Sequence, residues 1–146
     1  IDETGLLDEE YFGEGCFVAK SKNGEHIVLT QKDIREIQMA KAAIRAGVET
    51  LIAKCGILKD DIAHVYLAGG FGVKLNCKKA IAIGLLTKEF EKKIKAVGNS
   101  SLQGTAKVLL SDEHQELAEI IEKTEEINLA GEEEFNQNYV DFMHFK

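Results

Sequence analysis

Ile62-Ala63-His64-Val65-Tyr66-Leu67-Ala68-Gly69-Gly70-Phe71-Gly72 is the stretch whose reading decides the fold. Its first seven residues are mostly apolar and predict a buried strand over 62–68. The strand runs directly into glycine at 69, 70 and 72. Consecutive glycines let the backbone take positive φ and expose its N–H groups with no Cβ in the way. Open α/β sheets bind ligands where a strand ends in such a turn. Amides exposed there suit a phosphate or the face of a nucleoside. A Gly-Gly at the end of a strand also serves as a plain tight turn, so the stretch alone leaves both readings open. It is not a Walker A loop, since no Gly-Lys-Ser/Thr follows, and it does not match G-x-G-x-x-G.

Upstream, Thr30-Gln31-Lys32-Asp33 opens a long helix, with Thr30 as cap and Asp33 in the acidic first turn. Apolar or small residues recur at Ile34, Ile37, Ala40, Ile44, Val48, Leu51 and Cys55. These steps of three or four predict one buried helix face packed on the sheet, ending near Gly56. Before it, Cys16-Phe17-Val18-Ala19 and His26-Ile27-Val28-Leu29 read as two strands of a hairpin. Asn23-Gly24 between them predicts a type I′ turn with both residues at positive φ. Residues 1–15 form an acidic, Gly-punctuated lead-in, and residues 16–146 form the folded lobe.

Downstream, the pattern predicts a short helix over 80–86, broken or ended by Gly84, and a strand over 94–97 closed by Gly98-Asn99. Helices follow over 100–110 and over 112–123, the latter capped by Ser111 or Asp112. A last strand is expected over 126–129 and a terminal helix over 132–142. Strands alternating with helices imply an α/β layer architecture with a partly parallel, mixed sheet flanked by helices.

A net charge of −7 argues against a general nucleic-acid binder and against adhesion to anionic membranes. No apolar run reaches the roughly 18 residues of a membrane helix, and no basic-then-apolar leader opens the chain. The cytoplasm is therefore the expected location. The chain starts at Ile1, which reads as a piece excised from a longer protein. Cys16, Cys55 and Cys77 form no C-x-x-C pair, and His26, His64, His114 and His144 lack ligand spacing, so no metal site is expected here. Two further anion sites are open on local grounds. One is the Gly98-Asn99 turn before the helix at Ser100, where Asn99 can equally be a helix cap. The other is the row Lys32, Arg35, Lys41 and Arg45, which can equally be a solvated helix face.

Several segments taken together resemble one family. They are residues 30–38, Lys41-Ala42-Ala43-Ile44, Leu67-Ala68-Gly69-Gly70-Phe71-Gly72, Ile83-Gly84-Leu85-Leu86 and Val97-Gly98-Asn99. In this order and spacing they are similar to the ATP-dependent reductive activators of corrinoid proteins, whose relatives carry an amino-terminal ferredoxin domain. The resemblance covers nearly the whole chain from about Gly13. It implies the second, carboxy-terminal lobe of an ATPase domain in the actin, heat-shock chaperone, and acetate and sugar kinase superfamily. It places Gly69, Gly70, Phe71 and Gly72 against the ribose and α-phosphate of ATP, with Lys41 and Arg45 as adenine contacts. ATP with Mg is the implied cofactor. An iron–sulfur cluster is expected in an upstream domain, where it supplies the electron that returns cobalt(II) to cobalt(I). Expected partners are a corrinoid protein, the first ATPase lobe and ferredoxin domain of the same chain, and a second copy as homodimer. This piece alone is expected not to hydrolyse ATP.

The sequence departs from the family where Ser100-Ser101 follows Asn99 in place of two alanines. It departs again at Asn76-Cys77 and Thr87, where prolines are usual. A sugar kinase, a dehydratase activator or an actin-type filament protein would share the glycine turn. The first would need a catalytic Asp in its other half, the second a cysteine pair absent here, and the third would polymerise with nucleotide.

Overall fold

The computed structural model describes residues 1–111 and 114–145. Strands β1 (Cys16–Lys20) and β2 (His26–Leu29) form an antiparallel hairpin. Helix α1 (Gln31–Cys55) follows, and then strand β3 (Val65–Ala68) leads into helix α2 (Gly69–Lys74). Helix α3 (Cys77–Ala82) and strand β4 (Ile94–Gly98) come next. Helices α4 (Ser100–Leu110), α5 (His114–Glu122) and α6 (Glu133–Asp141) complete the order. β3 and β4 pair in parallel, with Ala68 opposite Gly98. The sheet thus exists here as two separate pairs, one antiparallel and one parallel.

The ends of α1 are set as the sequence predicts. Thr30 Oγ1 accepts from the Asp33 amide, and the Asp33 carboxylate accepts from the Thr30 amide at 2.8 Å, a complete capping box. Gly56 closes the helix in the left-handed region at φ 63°.

The face that α1 buries differs from the expected one. Ile34 is buried as predicted, but Ile37, Ile44 and Leu51 are 41%, 47% and 40% exposed. The buried row is Ile34, Gln38, Lys41, Ala42, Ala46, Gly47 and Thr50, displaced by about a third of a turn. The cause is the partner: α1 packs chiefly on α6, not on a sheet. Gly47 lets that layer come close, since a Cβ there would sit 3.4 Å from Leu129 Cδ1 and 4.0 Å from Phe135.

Four smaller expectations are also corrected. The hairpin turn has positive φ at Gly24 alone. Ser21 pairs with Glu25, and the Gly24 amide donates to Ser21 O at 3.0 Å, which is a type I turn followed by a glycine bulge. β3 is shorter than 62–68 and only half-buried, because Tyr66 and Ala68 point outward. Residues 126–129 form no strand. They have no neighbouring strand to pair with, and Leu129–Gly131 makes a 3-10 turn beside α6. The short third helix spans Cys77–Ala82, not 80–86. Asn76 caps its start, accepting from Lys79 N at 3.1 Å, and Gly84 at φ +79° carries the chain out of it. Asp112, one of two caps expected for α5, lies outside the described residues.

The lead-in is docked on α1. Gln31 Nε2 donates to Gly5 O at 2.7 Å, and its Oε1 accepts from Leu7 N at 2.8 Å. Arg35 and Gln38 both donate to Thr4 O, and Leu7 is buried. Among the described residues no helix is long and apolar enough to cross a membrane.

Candidate functional site

The glycine turn sits at the carboxyl end of the parallel pair. α2 packs on both strands of that pair. The three glycines do three different things. Gly69 stands at φ +83°, a conformation that side-chain-bearing residues avoid, and a Cβ there would meet nothing within 4 Å. Gly72 has an ordinary φ, but a Cβ would lie 3.1 Å from the Leu67 carbonyl carbon and 3.2 Å from its oxygen. Its bareness lets α2 lie against the end of β3. Gly70 is exposed and has neither constraint: its φ is ordinary and a Cβ would meet nothing within 4 Å. Nothing in the described fold requires glycine at 70. What glycine leaves there is bare, outward-facing backbone. Phe71 takes part through its place in α2.

The register Ala68 opposite Gly98 sets the second glycine turn at the same edge. Gly98 is at φ +68°, and Asn99 caps α4, accepting from Leu102 N at 3.0 Å. The capping reading of Asn99 is therefore realised.

The basic row of α1 is dispersed. Lys32 is exposed and faces Glu36 at 3.9 Å. Arg35 donates to Gln38 Oε1 at 2.8 Å. Lys41 is 1% exposed, and its ammonium donates to Phe142 O at 2.5 Å and His144 O at 2.7 Å, with the Phe145 ring 5.1 Å away. Those carbonyls belong to the end of α6, where a cation also offsets the helix dipole. Gln38 adds a bond to Met143 O at 2.8 Å. A lysine so buried and engaged is a clasp for the carboxy-terminal tail.

Arg45 Nε bonds Glu49 at 2.7 Å, and its guanidinium lies over the Phe142 ring. Glu49 also takes Lys59 at 2.7 Å, so Arg45 belongs to an ion-pair row beside α6. The sequence holds no signal for the Lys41 clasp, since its acceptors are ordinary main-chain carbonyls about 100 residues away. A helix end docked on α1 claims the nearest cations.

Thr87 is buried and donates its hydroxyl to Glu89. That bond, first among its causes, holds the Glu89 carboxyl below its ordinary range. Cys16 and Cys77 are half-buried, Cys55 is exposed, and all three are free thiols. Among the described residues no three His, Cys, Asp or Glu side chains converge as metal ligands.

A strand–turn–helix with bare glycines at the carboxyl end of a parallel pair is compatible with a lobe of actin-like type, as the resemblance implies. The comparisons with known proteins agree. The family model described as the C-terminal domain of RACo, the ASKHA domain, matches residues 5–146. The chain is 34% identical to the corrinoid activation enzyme RamQ of Eubacterium limosum over 141 residues, which is 96% of this chain and 23% of that protein. It is 33% identical to the [Co(II) methylated amine-specific corrinoid protein] reductase of Methanosarcina barkeri over 122 residues, covering 80% of this chain and 22% of the relative. A solved reductive activator for corrinoid, iron–sulfur protein superposes over 99% of this chain and 25% of its own, with TM-score 0.84 and 38% identity. The chain belongs to the RACo C-terminal, ASKHA-domain family, and spans about a quarter of the length of the relatives it matches.

Proposed function

We infer that this chain is the nucleotide-binding lobe of an ATP-dependent reductive activator that returns corrinoid cobalt(II) to cobalt(I). The observation that carries this reading is Gly70. It is a glycine with no conformational or packing need for glycine, set between two glycines that have one, at the edge where α/β sheets take ligands.

The fit to ATP is backbone-led. Gly69 turns the chain outward from β3, Gly70 offers bare main chain to the ribose and α-phosphate with the Phe71 amide following it, and Gly72 seats α2 so that the turn holds its shape. The first lobe of the longer protein, with Mg, completes the site. When bound, ATP supplies the free energy for an uphill one-electron reduction. An iron–sulfur centre elsewhere in the longer chain would supply that electron to the corrinoid partner. The lobe's own residues bind and orient. None of them carries the electron, so the lobe in isolation is inactive. This activity belongs to the cytoplasm.

The experiment is Gly70→Val in the full-length protein. ATP-dependent reduction of the corrinoid is expected to be lost, while electron flow from the cluster to an artificial acceptor survives. Retained ATP-dependent reduction by a folded variant would remove the assignment.

A further inference from the structure

Lys74 ends α2, and the chain passes through Leu75 and Asn76 into α3. This corner holds a cleft of about 300 Å³, lined by Lys74, Leu75, Asn76, Lys79, Ala80 and Ile83. Leu75, Ala80 and Ile83 make it apolar, and the two lysines are its only charged lining residues among those described. Lys74 and Lys79 are exposed, and so is Lys78 beside them. Among the described residues none of the three is ion-paired. No carboxylate stands near them in sequence either. Residues 62–88 hold four lysines and no Asp or Glu, in a chain with 25 acidic residues and a net charge of −7. Unneutralised cations of one sign around an apolar hollow select an occupant of opposite charge.

We propose that the α2–α3 cleft docks a short acidic segment of a separate partner protein. One apolar side chain of that segment sits on Leu75, Ala80 and Ile83, and carboxylates beside it meet Lys74 and Lys79. The volume suits a single anchoring side chain, since about 300 Å³ is the lower limit for a whole small-molecule ligand. A long polyanion such as a nucleic acid would run on into the acidic remainder of the chain. A symmetric dimer through this cleft would set lysine against lysine, which like-charge repulsion disfavours. A face permanently covered by its own chain would be depleted of charge, whereas exchangeable interfaces keep a polar rim. The cleft lies at the far end of α2 from the glycine turn, about 9 Å along the helix axis. The docking therefore does not rest on the nucleotide reading.

The test is fluorescence anisotropy of the full-length protein with a labelled ~10-residue peptide, long enough to cross the cleft when extended. The peptide carries one central leucine flanked by glutamates. Saturable binding that weakens with added salt is expected. Replacing the glutamates by glutamines, or the leucine by serine, should weaken it. The pair Lys74→Glu and Lys79→Glu should weaken it roughly tenfold or more, because like charges then face the peptide. The pair Lys20→Glu and Lys22→Glu, on the hairpin and outside the cleft lining, should leave it unchanged. All four lysines are exposed, so both variants should melt as wild type does by circular dichroism. Equal losses from the two pairs would reduce the effect to general charge attraction and overturn the proposal. Displacement of the peptide by saturating ATP would give the cleft to nucleotide and overturn it as well. So would absence of saturable binding up to about 1 mM, since the cleft is then covered by its own chain or left to solvent. A self-association in sedimentation that Lys74→Glu and Lys79→Glu abolish, and that the peptide does not displace, would give the cleft to a second copy and overturn it too. None of these outcomes bears on whether Gly70→Val loses nucleotide.

Discussion

At the scale of the residue, the glycine turn separates three roles that look identical in sequence. Gly69→Ala forces a side chain into the left-handed region and is expected to cost about 1–2 kcal/mol. Gly72→Ala drives a Cβ against the Leu67 backbone at 3.1 Å and should cost about 1–3 kcal/mol as an overpacked contact. Gly70→Ala should leave the melting temperature unchanged. Thermal unfolding of the three variants checks this order, and a Gly70→Ala loss as large as the other two would contradict it. Lys41→Met keeps the apolar stem but leaves Phe142 O and His144 O without their donor. A loss of about 1–3 kcal/mol is expected, with earlier hydrogen exchange in the tail. The turn itself was legible from Leu67 to Gly72, because a strand running into glycines must turn there, while the stretch alone left its use open. The fate of Lys41 was not, because its partners are main-chain carbonyls about 100 residues away in sequence.

At the scale of the element, α1 shows what periodicity does and does not determine. Its ends were readable from Thr30, Asp33 and Gly56, since caps are local chemistry. Its buried face was not. Ile37, Ile44 and Leu51 form the more apolar stripe, yet the row that packs on α6 includes Gln38, Lys41 and Thr50. Two of those polar side chains are satisfied by the tail. Ile44→Ala should accordingly cost under about 1 kcal/mol in this chain, a surface-like value, where a core position would lose about 2–5 kcal/mol. A core-sized loss in urea melts would show that a partner covers that stripe. The capping box gives a pH prediction. The Thr30 hydroxyl, then its amide, hold the Asp33 carboxyl below its ordinary range. A carboxyl lowered on folding stabilises above its unfolded value near 4, and that stabilisation is lost as pH falls through the lower folded value. The melting-temperature gap between wild type and Asp33→Asn should therefore stay constant from about pH 7 to 5 and close below about pH 4. A gap that instead widens on acidification would contradict the cap. Thr30→Ala should cost about 1 kcal/mol at neutral pH.

At the scale of the whole molecule, the α/β order and the parallel pairing were legible because strand and helix periods differ sharply. The division of the sheet into two pairs, and the outward apolar residues of β1, β2 and α1, were not. Those depend on what lies beside the lobe, and local pattern carries no record of it. The same holds for the proposed nucleotide site, of which this lobe would present one wall: the relatives it matches are about four times as long. The central claim is that bare backbone at Gly70 is the seat of the nucleotide. The most direct test is the ATP affinity of the full-length protein carrying Gly70→Val, measured by titration calorimetry alongside its melting temperature. The account predicts an unchanged melt with affinity weakened roughly a hundredfold or more, as expected for several lost close contacts at about 1.4 kcal/mol per decade. Unchanged affinity in a variant that melts like wild type would contradict it.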